Sequence, residues 1–266
     1  MTDDPADDRA DDRAHDLVAR LADLHRRTTM VGWDFTVLEG TTTSDDPPWD
    51  FDADCLAAMR RAGRGTVVDL GTGGGERLSA LLDRLPGGSG ATVVATEGWA
   101  PNEPVARERL APFGVPVLAY NAEADLRMPF ADGSVDVVMA RHEAYDAAEV
   151  ARVLAPGGTF LTQQVDGRDT FELRDRFGGD APYPDVRLDR ARPDLERAGL
   201  TVDVAEEWRG RLRFADVEAV VTYLALTPWT VPGFEPADHA APLAELHRAG
   251  PVDVTQLRFR CYARRP

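Results

Sequence analysis

The chain has 266 residues, and its 46 acidic side chains against 30 basic ones give a formal net charge of −16. A polyanionic partner is therefore not expected, because phosphate neutralisation needs a basic face. At 43% apolar and 29% charged the chain is globular. Its two cysteines, Cys55 and Cys261, cannot build a disulfide framework and suit a reducing cytoplasm. No apolar run nears the ~20 residues of a membrane span.

The first 13 residues repeat an Ala-Asp-Asp-Arg block with nothing to bury, which predicts a disordered acidic tail and no secretory signal. Leu17, Val18, Leu21 and Leu24 share one face and predict a short amphipathic helix. Residues 31–52 are rich in Thr, Asp and Pro, yet carry Trp33, Phe35, Trp49 and Phe51. Aromatics in an irregular segment pack on something. Residues 14–52 therefore read as a helix followed by either a cover over the core or a lid over a site.

From 53 to about 165, helices and strands alternate. Helices are expected at 53–62, 76–85, 103–111 and 147–154, the clearest apolar face being Leu78, Leu81, Leu82 and Leu85. Short apolar strands are expected at 65–70, 91–96, 115–120, 135–140 and 159–165. This alternation predicts βαβ units and a parallel sheet with helices on both faces. The tail adds helices at 187–198, 217–224 and 240–249 and strands at 201–208 and 254–264. No linker marks a second domain, so 53–266 reads as one domain with a helical insert at about 209–250.

The run Val68-Asp69-Leu70-Gly71-Thr72-Gly73-Gly74-Gly75-Glu76 falls between an expected strand and an expected helix. There a glycine loop brings backbone N–H groups against a ligand, with no Cβ in the way. A dinucleotide fingerprint would need glycine where Glu76 stands. A Walker A loop would need lysine, and the chain has none.

The spacing Asp69-x-Gly71-x-Gly73-x-Gly75 resembles motif I of the class I S-adenosylmethionine-dependent methyltransferases. Glu97 follows 26 residues after Gly71, at the end of the second expected strand. The run from Met128 through Pro129-Phe130-Ala131-Asp132-Gly133-Ser134-Val135-Asp136 resembles the L-P-F-x-D-x-S-F-D run of many such enzymes, including the ubiquinone-biosynthesis type. Glu149-Val150-Ala151-Arg152-Val153-Leu154-Ala155-Pro156-Gly157-Gly158 resembles their helix and R-V-L-x-P-G-G turn. The resemblance covers about residues 53–165. It implies a Rossmann-like α/β fold, with a seven-stranded, mostly parallel sheet, an antiparallel last strand and helices on both faces. The implied cofactor is S-adenosylmethionine, leaving as S-adenosylhomocysteine.

Carried over residue by residue, Gly71, Thr72, Gly73 and Gly75 would line the cofactor's methionine and ribose, and Asp69 would orient its amino-acid end. Glu97 would hold the ribose, and Gly98 and Trp99 would lie by the adenine. Asn121, with the backbone of Ala122, would meet the adenine amino group. Asn121 stands where Asp is common, which leaves Asp125 as an alternative. Asp136 reads as structural and Pro156-Gly157-Gly158 as a turn.

The methyl would sit beside Arg141-His142-Glu143-Ala144-Tyr145. His142 is the candidate general base. Arg141, also beside the cofactor, would clamp a substrate carboxylate or pair with Glu143. Tyr145, Gln163, Trp33, Trp49 and Trp229 are the candidate substrate contacts, the three tryptophans as lid residues. The remaining histidines have no ligand spacing, so no metal is expected. The expected activity is methyl transfer to a small-molecule acceptor by a cytoplasmic monomer or homodimer, with no membrane partner. An RNA or peptide methyltransferase, a non-catalytic cofactor-binding protein and an NAD-dependent oxidoreductase are the alternatives.

Overall fold

The computed structural model describes residues 5–30, 34–85, 90–125 and 127–266, the first ten as backbone only. In chain order the elements are α1 (Pro5–Arg27), β1 (Thr42–Ser44), α2 (Phe51–Ala62), β2 (Thr66–Leu70), α3 (Glu76–Asp83), β3 (Thr92–Glu97), α4 (Asn102–Leu110) and β4 (Val117–Ala119). There follow β5 (Val135–Arg141), α5 (Ala147–Val153), β6 (Leu154–Val165), α6 (Phe171–Phe177), α7 (Leu188–Arg197), β7 (Thr201–Phe214), α8 (Val217–Leu226), α9 (Ala240–Ala249) and β8 (Val252–Arg264). The strand order is β1-β7-β8-β6-β5-β2-β3-β4. The seven expected strands are β2 to β8, and β1 is an eighth of three residues.

The chain divides into two compact units rather than one domain with an insert. The larger comprises residues 47–166, 185–208 and 258–266. In it β4, β3, β2, β5 and β6 form a parallel ladder, and β8 runs antiparallel to β6 from Arg258 to Arg264. Side chains alternate across the ladder. Val67, Val137, Met139 and Leu161 enter one apolar cluster with Met59 and Leu81, while Val68, Leu70, Val138 and Phe160 enter another with Val150 and Leu195. Two buried faces explain why these strands read as continuous apolar runs.

The helices start where the sequence offers caps. The carboxylates of Asp50 and Asp146 accept from the N–H groups of Ala53 and Glu149, which fixes the first turns of α2 and α5. Asp136 accepts from the Thr66 N–H at 2.7 Å and so ties β5 to the start of β2. Pro156, Gly157 and Gly158 belong to β6, at an irregular register with β5, rather than forming a separate turn.

The smaller unit comprises residues 1–46, 167–184 and 209–257. Its core joins Leu17 and Leu21 of α1, Leu173 and Phe177 of α6, Val220 and Leu224 of α8 and Leu243 and Leu246 of α9. β1 pairs antiparallel with β7 from Thr42↔Phe214 to Ser44↔Leu212. The expected insert is thus part of a unit with its own core. α1 starts at Pro5, within the stretch expected to be a disordered tail, and residues 1–4 lie outside the described residues. Leu17 and Leu21 anchor this helix in the core of the smaller unit.

The two motif runs of the larger unit meet in one clamp. Arg152 of α5 donates to Glu149 Oε1 and Oε2, to Asp132 Oδ1 and to the carbonyls of Phe130 and Met128, at 2.6–3.1 Å. Glu149 in turn accepts from the Met128 N–H at 2.7 Å. Arg152→Ala is expected to lower the unfolding free energy by about 2–3 kcal/mol, because it strands a carboxylate and two carbonyls. Arg192→Ala, which removes an exposed pair with Glu196, should leave stability unchanged. Urea unfolding of both variants measures the contrast, and equal effects would rule out the clamp.

Candidate functional site

Order in the larger sheet reverses at β2 and β5: the chain proceeds from β2 outward to β3 and β4, then returns to β5 and moves the other way to β6. Ligands of open α/β sheets bind at such a switch point, outside the carboxyl ends of the strands. Leu70 and Ala140 are register partners there. The glycine loop therefore leaves β2 beside the place where Arg141 ends β5.

The loop is shaped by backbone that only glycine adopts readily: Gly71, Gly73 and Gly75 have φ of 66°, 63° and 81°. It is tied to β3 by the Thr72 N–H on the Thr96 carbonyl (2.8 Å) and the Gly71 N–H on Thr96 Oγ1 (3.2 Å). Glu97 is the main tether. Its Oε2 accepts from the Gly73 N–H at 2.6 Å and its Oε1 from the Trp99 N–H at 2.8 Å. Burial raises the Glu97 carboxyl above its ordinary value, and these N–H groups oppose the shift. Asp69, buried beneath the loop, is also raised by burial and opposed by Arg77.

Gly98 lies against the next loop. A Cβ there would fall 2.8 Å from the Tyr120 carbonyl oxygen and from the Asn121 Cβ, so no side chain fits. Trp99 is half exposed. Asn121 Oδ1 accepts from the Glu123 N–H, and the Asn121 N–H donates to Asp125 Oδ2 at 2.8 Å. Asn121 and Asp125 thus flank one turn, residues 122–124. Asn102, at the start of α4, is buried with Oδ1 unpartnered among the described residues, a feature the sequence did not reveal.

On the β5 side, His142 takes a left-handed conformation (φ 58°), which non-glycine residues keep only where surroundings hold them. Its N–H donates to the Gln163 carbonyl at 2.8 Å. Its ring Nε2 lies 3.4 Å from Gln163 Nε2, and Gln163 Oε1 accepts from the Trp49 indole N–H at 2.7 Å. An indole only donates, so the oxygen of Gln163 must face Trp49 and its NH2 must face His142. The lone pair of His142 Nε2 is then engaged, and the proton sits on Nδ1. The ring has an open edge, but enclosing protein holds the imidazole well below its ordinary pKa, with the charges of Arg141, Arg258 and Arg77 adding to the effect. This arrangement does not favour the expected role of His142 as a base: its Nε2 faces the Gln163 NH2 and its cation is disfavoured.

Glu143 packs on Gly71 so closely that a Cβ at Gly71 would overlap its side chain. Burial, with Glu97 and Glu123 facing it, raises the carboxyl to about 7. The sequence offered no signal for this packing beyond the polar run itself. The expected alternative of an Arg141–Glu143 pair does not form.

The candidate substrate contacts divide. Trp49 packs on the core, its ring covered by Arg260 at 5.0 Å, and acts through Gln163 rather than as a lid. Gln163 is buried between Trp49 and His142. Its neighbour Gln164 donates to the Glu143 carbonyl. Tyr145 packs edge-on against Phe160 at 4.8 Å, among core residues, because its ring follows the apolar face above β6. Trp229 belongs to the smaller unit, in a turn after α8. Trp33 lies outside the described residues. No group of three or more potential metal ligands occurs among the described residues, and no described helix is long and apolar enough to cross a membrane.

Residues 68–162 match the family described as "Methyltransferase domain". No curated protein matches the chain. Among solved structures, a protein of Bacillus halodurans C-125 provisionally named a methyltransferase is similar at 19% identity, covering 80% of this chain and 99% of its own, with a TM-score of 0.53. The YcgJ protein of Bacillus subtilis is similar at 16% identity over 80% of this chain and 98% of its own, TM-score 0.54. The cyclase SpnF shares the fold at 16% identity over 96% of this chain and 94% of its own, TM-score 0.51.

The lowered pKa of His142 keeps the ring neutral across the neutral range. Its Cε1–H resonance is expected to stay unshifted between about pH 6 and 8. In Trp49→Phe, Gln163 is free to turn its oxygen toward the ring, and the titration should move up into that window. Proton NMR of both proteins measures this, and a wild-type titration near the unperturbed value would remove the lock.

Proposed function

We propose that the chain carries a class I S-adenosylmethionine-dependent methyltransferase domain and transfers the cofactor's methyl group to a small-molecule acceptor. The observation that carries this reading is the meeting of the Glu97-tethered glycine loop with the Arg141–Glu143 run at the switch point of the sheet.

The residues suit the cofactor. The loop's glycines present backbone without Cβ atoms, a buried carboxylate lies at its base, and Asn102 Oδ1 is buried with no partner among the described residues. Gly71, Thr72, Gly73 and Gly75 would cradle the methionine and ribose, Asp69 would orient the amino-acid end through its carboxylate, and Glu97 would accept from the ribose. Gly98, Trp99 and the Asn121–Ala122 turn would frame the adenine. When bound, the cofactor supplies a methyl group on a positively charged sulfonium.

The chain's own residues then hold the acceptor in line, exclude water and set the local charge; orientation of this kind supplies up to ~7–11 kcal/mol of a barrier. Glu143, resting on Gly71, would place negative charge near that sulfonium. The proposed role of His142 is hydrogen-bond donation through Nδ1 rather than proton abstraction.

Calorimetric titration with S-adenosylmethionine, S-adenosylhomocysteine and NAD tests the reading. Binding of the first two without NAD is expected, and binding of NAD alone would overturn it. Glu97→Ala should weaken S-adenosylhomocysteine at least ~10-fold, because it frees both the ribose site and the loop tether; unchanged affinity would sink the assignment.

The sign of the Glu143 effect follows from its charge. The carboxyl is neutral below about 7 and negative above it. Affinity for the cationic S-adenosylmethionine should therefore rise through that pH, while the uncharged thioether of S-adenosylhomocysteine gains less. Titration at several pH values reads this, and Glu143→Gln should flatten the difference between the two ligands.

A further inference from the structure

Arg141 ends β5 at the switch point, and its side chain makes no hydrogen bond or ion pair among the described residues. Partial burial, then the neighbouring cations Arg77 and Arg258, act against its charge, while the residue stays open to solvent on one side. The carboxylate that faces it is Asp52, and that group is already bonded to Arg77 Nε at 2.7 Å. Arg77 also reaches Cys55 Sγ at 3.4 Å and lies over the Phe51 ring. Asp52 is thus engaged by Arg77, and no carboxylate of the described residues is bonded to Arg141. A guanidinium open in this way can receive an anion from outside the chain.

The next residue extends the same chemistry. The Trp49–Gln163–His142 relay fixes the proton on His142 Nδ1, so the ring can donate but has no acceptor to offer. Arg141 and His142 together present donors only. One open guanidinium fork and one ring N–H match the two oxygens of a planar carboxylate.

We infer that Arg141, with His142 Nδ1–H as a second donor, receives a carboxylate carried by the methyl acceptor, so that the acceptor belongs to the small carboxylic acids. This rests on the methyltransferase reading. The cofactor's amino-acid end carries the same chemical group, and the experiment separates the two sources.

Ligand-observed NMR against protein loaded with S-adenosylhomocysteine would compare small carboxylates, such as benzoate and N-acetylglycine, with their neutral carboxamides. The wild type should favour the carboxylates by at least ~10-fold, with the preference shrinking as salt is raised. Arg141→Gln should abolish the preference, and its affinity for S-adenosylhomocysteine should change less than about threefold. Arg141→Lys, which keeps the charge without the fork, should keep part of the preference and covers the case in which Arg141→Gln does not fold. A wild type that binds acids and amides alike overturns the inference. So does a variant that retains the preference but loses S-adenosylhomocysteine, which would assign Arg141 to the cofactor. Failure of S-adenosylhomocysteine to bind the wild type would instead overturn the methyltransferase reading.

Discussion

A glycine loop has no side chains with which to hold its own shape, and here one carboxylate supplies what is missing. Glu97 accepts from the Gly73 N–H on one oxygen and the Trp99 N–H on the other. It thereby fixes two loops that leave neighbouring strands, and each tethered loop then limits what surrounds it. Gly71 must leave room for Glu143, and Gly98 must lie flat against Tyr120 and Asn121. The burial that raises the Glu97 carboxyl also makes its two hydrogen bonds stronger than they would be in water.

Much of the motif pattern serves geometry rather than chemistry. Asp136 holds the start of β2, and Arg152 and Glu149 bind the segment around Met128 and Phe130 to α5. These residues fix where β5 begins and so where Arg141 ends. A similar division runs through the acceptor side. Trp49 and Gln163 touch the core and each other, and their effect is felt through the tautomer of His142.

The sheet, its helices and the glycine loop were legible because each depends on local pattern: apolar runs of strand length, a helical apolar period and glycines between them. Asp136 likewise declared itself as structural. Side-chain relations across the sheet were not legible. Nothing in Arg141-His142-Glu143 says that Glu143 would rest on Gly71, that Arg141 would stand unpaired, or that a tryptophan some ninety positions earlier would set the proton on His142. Tyr145 looked like a substrate contact because it follows the polar run, yet one more half-turn of chain takes its ring into the core. The smaller unit was missed for the same reason. Its three segments are far apart in sequence, and each alone reads as an addition to the main sheet.

That discontinuity has a consequence for how the protein is made. The smaller unit's core joins Leu17 to Val254, and Ser44 Oγ meets Gln256 Oε1 at 2.8 Å. α1 leaves the ribosome before the elements it packs on and cannot bury its apolar face until α6, α8 and α9 have followed. The parallel ladder, whose strands lie between those ends, can pair while α1 still waits. Folding order thus runs opposite to synthesis order for the first helix. In the interval the apolar stripe of Leu17 and Leu21 stays uncovered until its partners arrive.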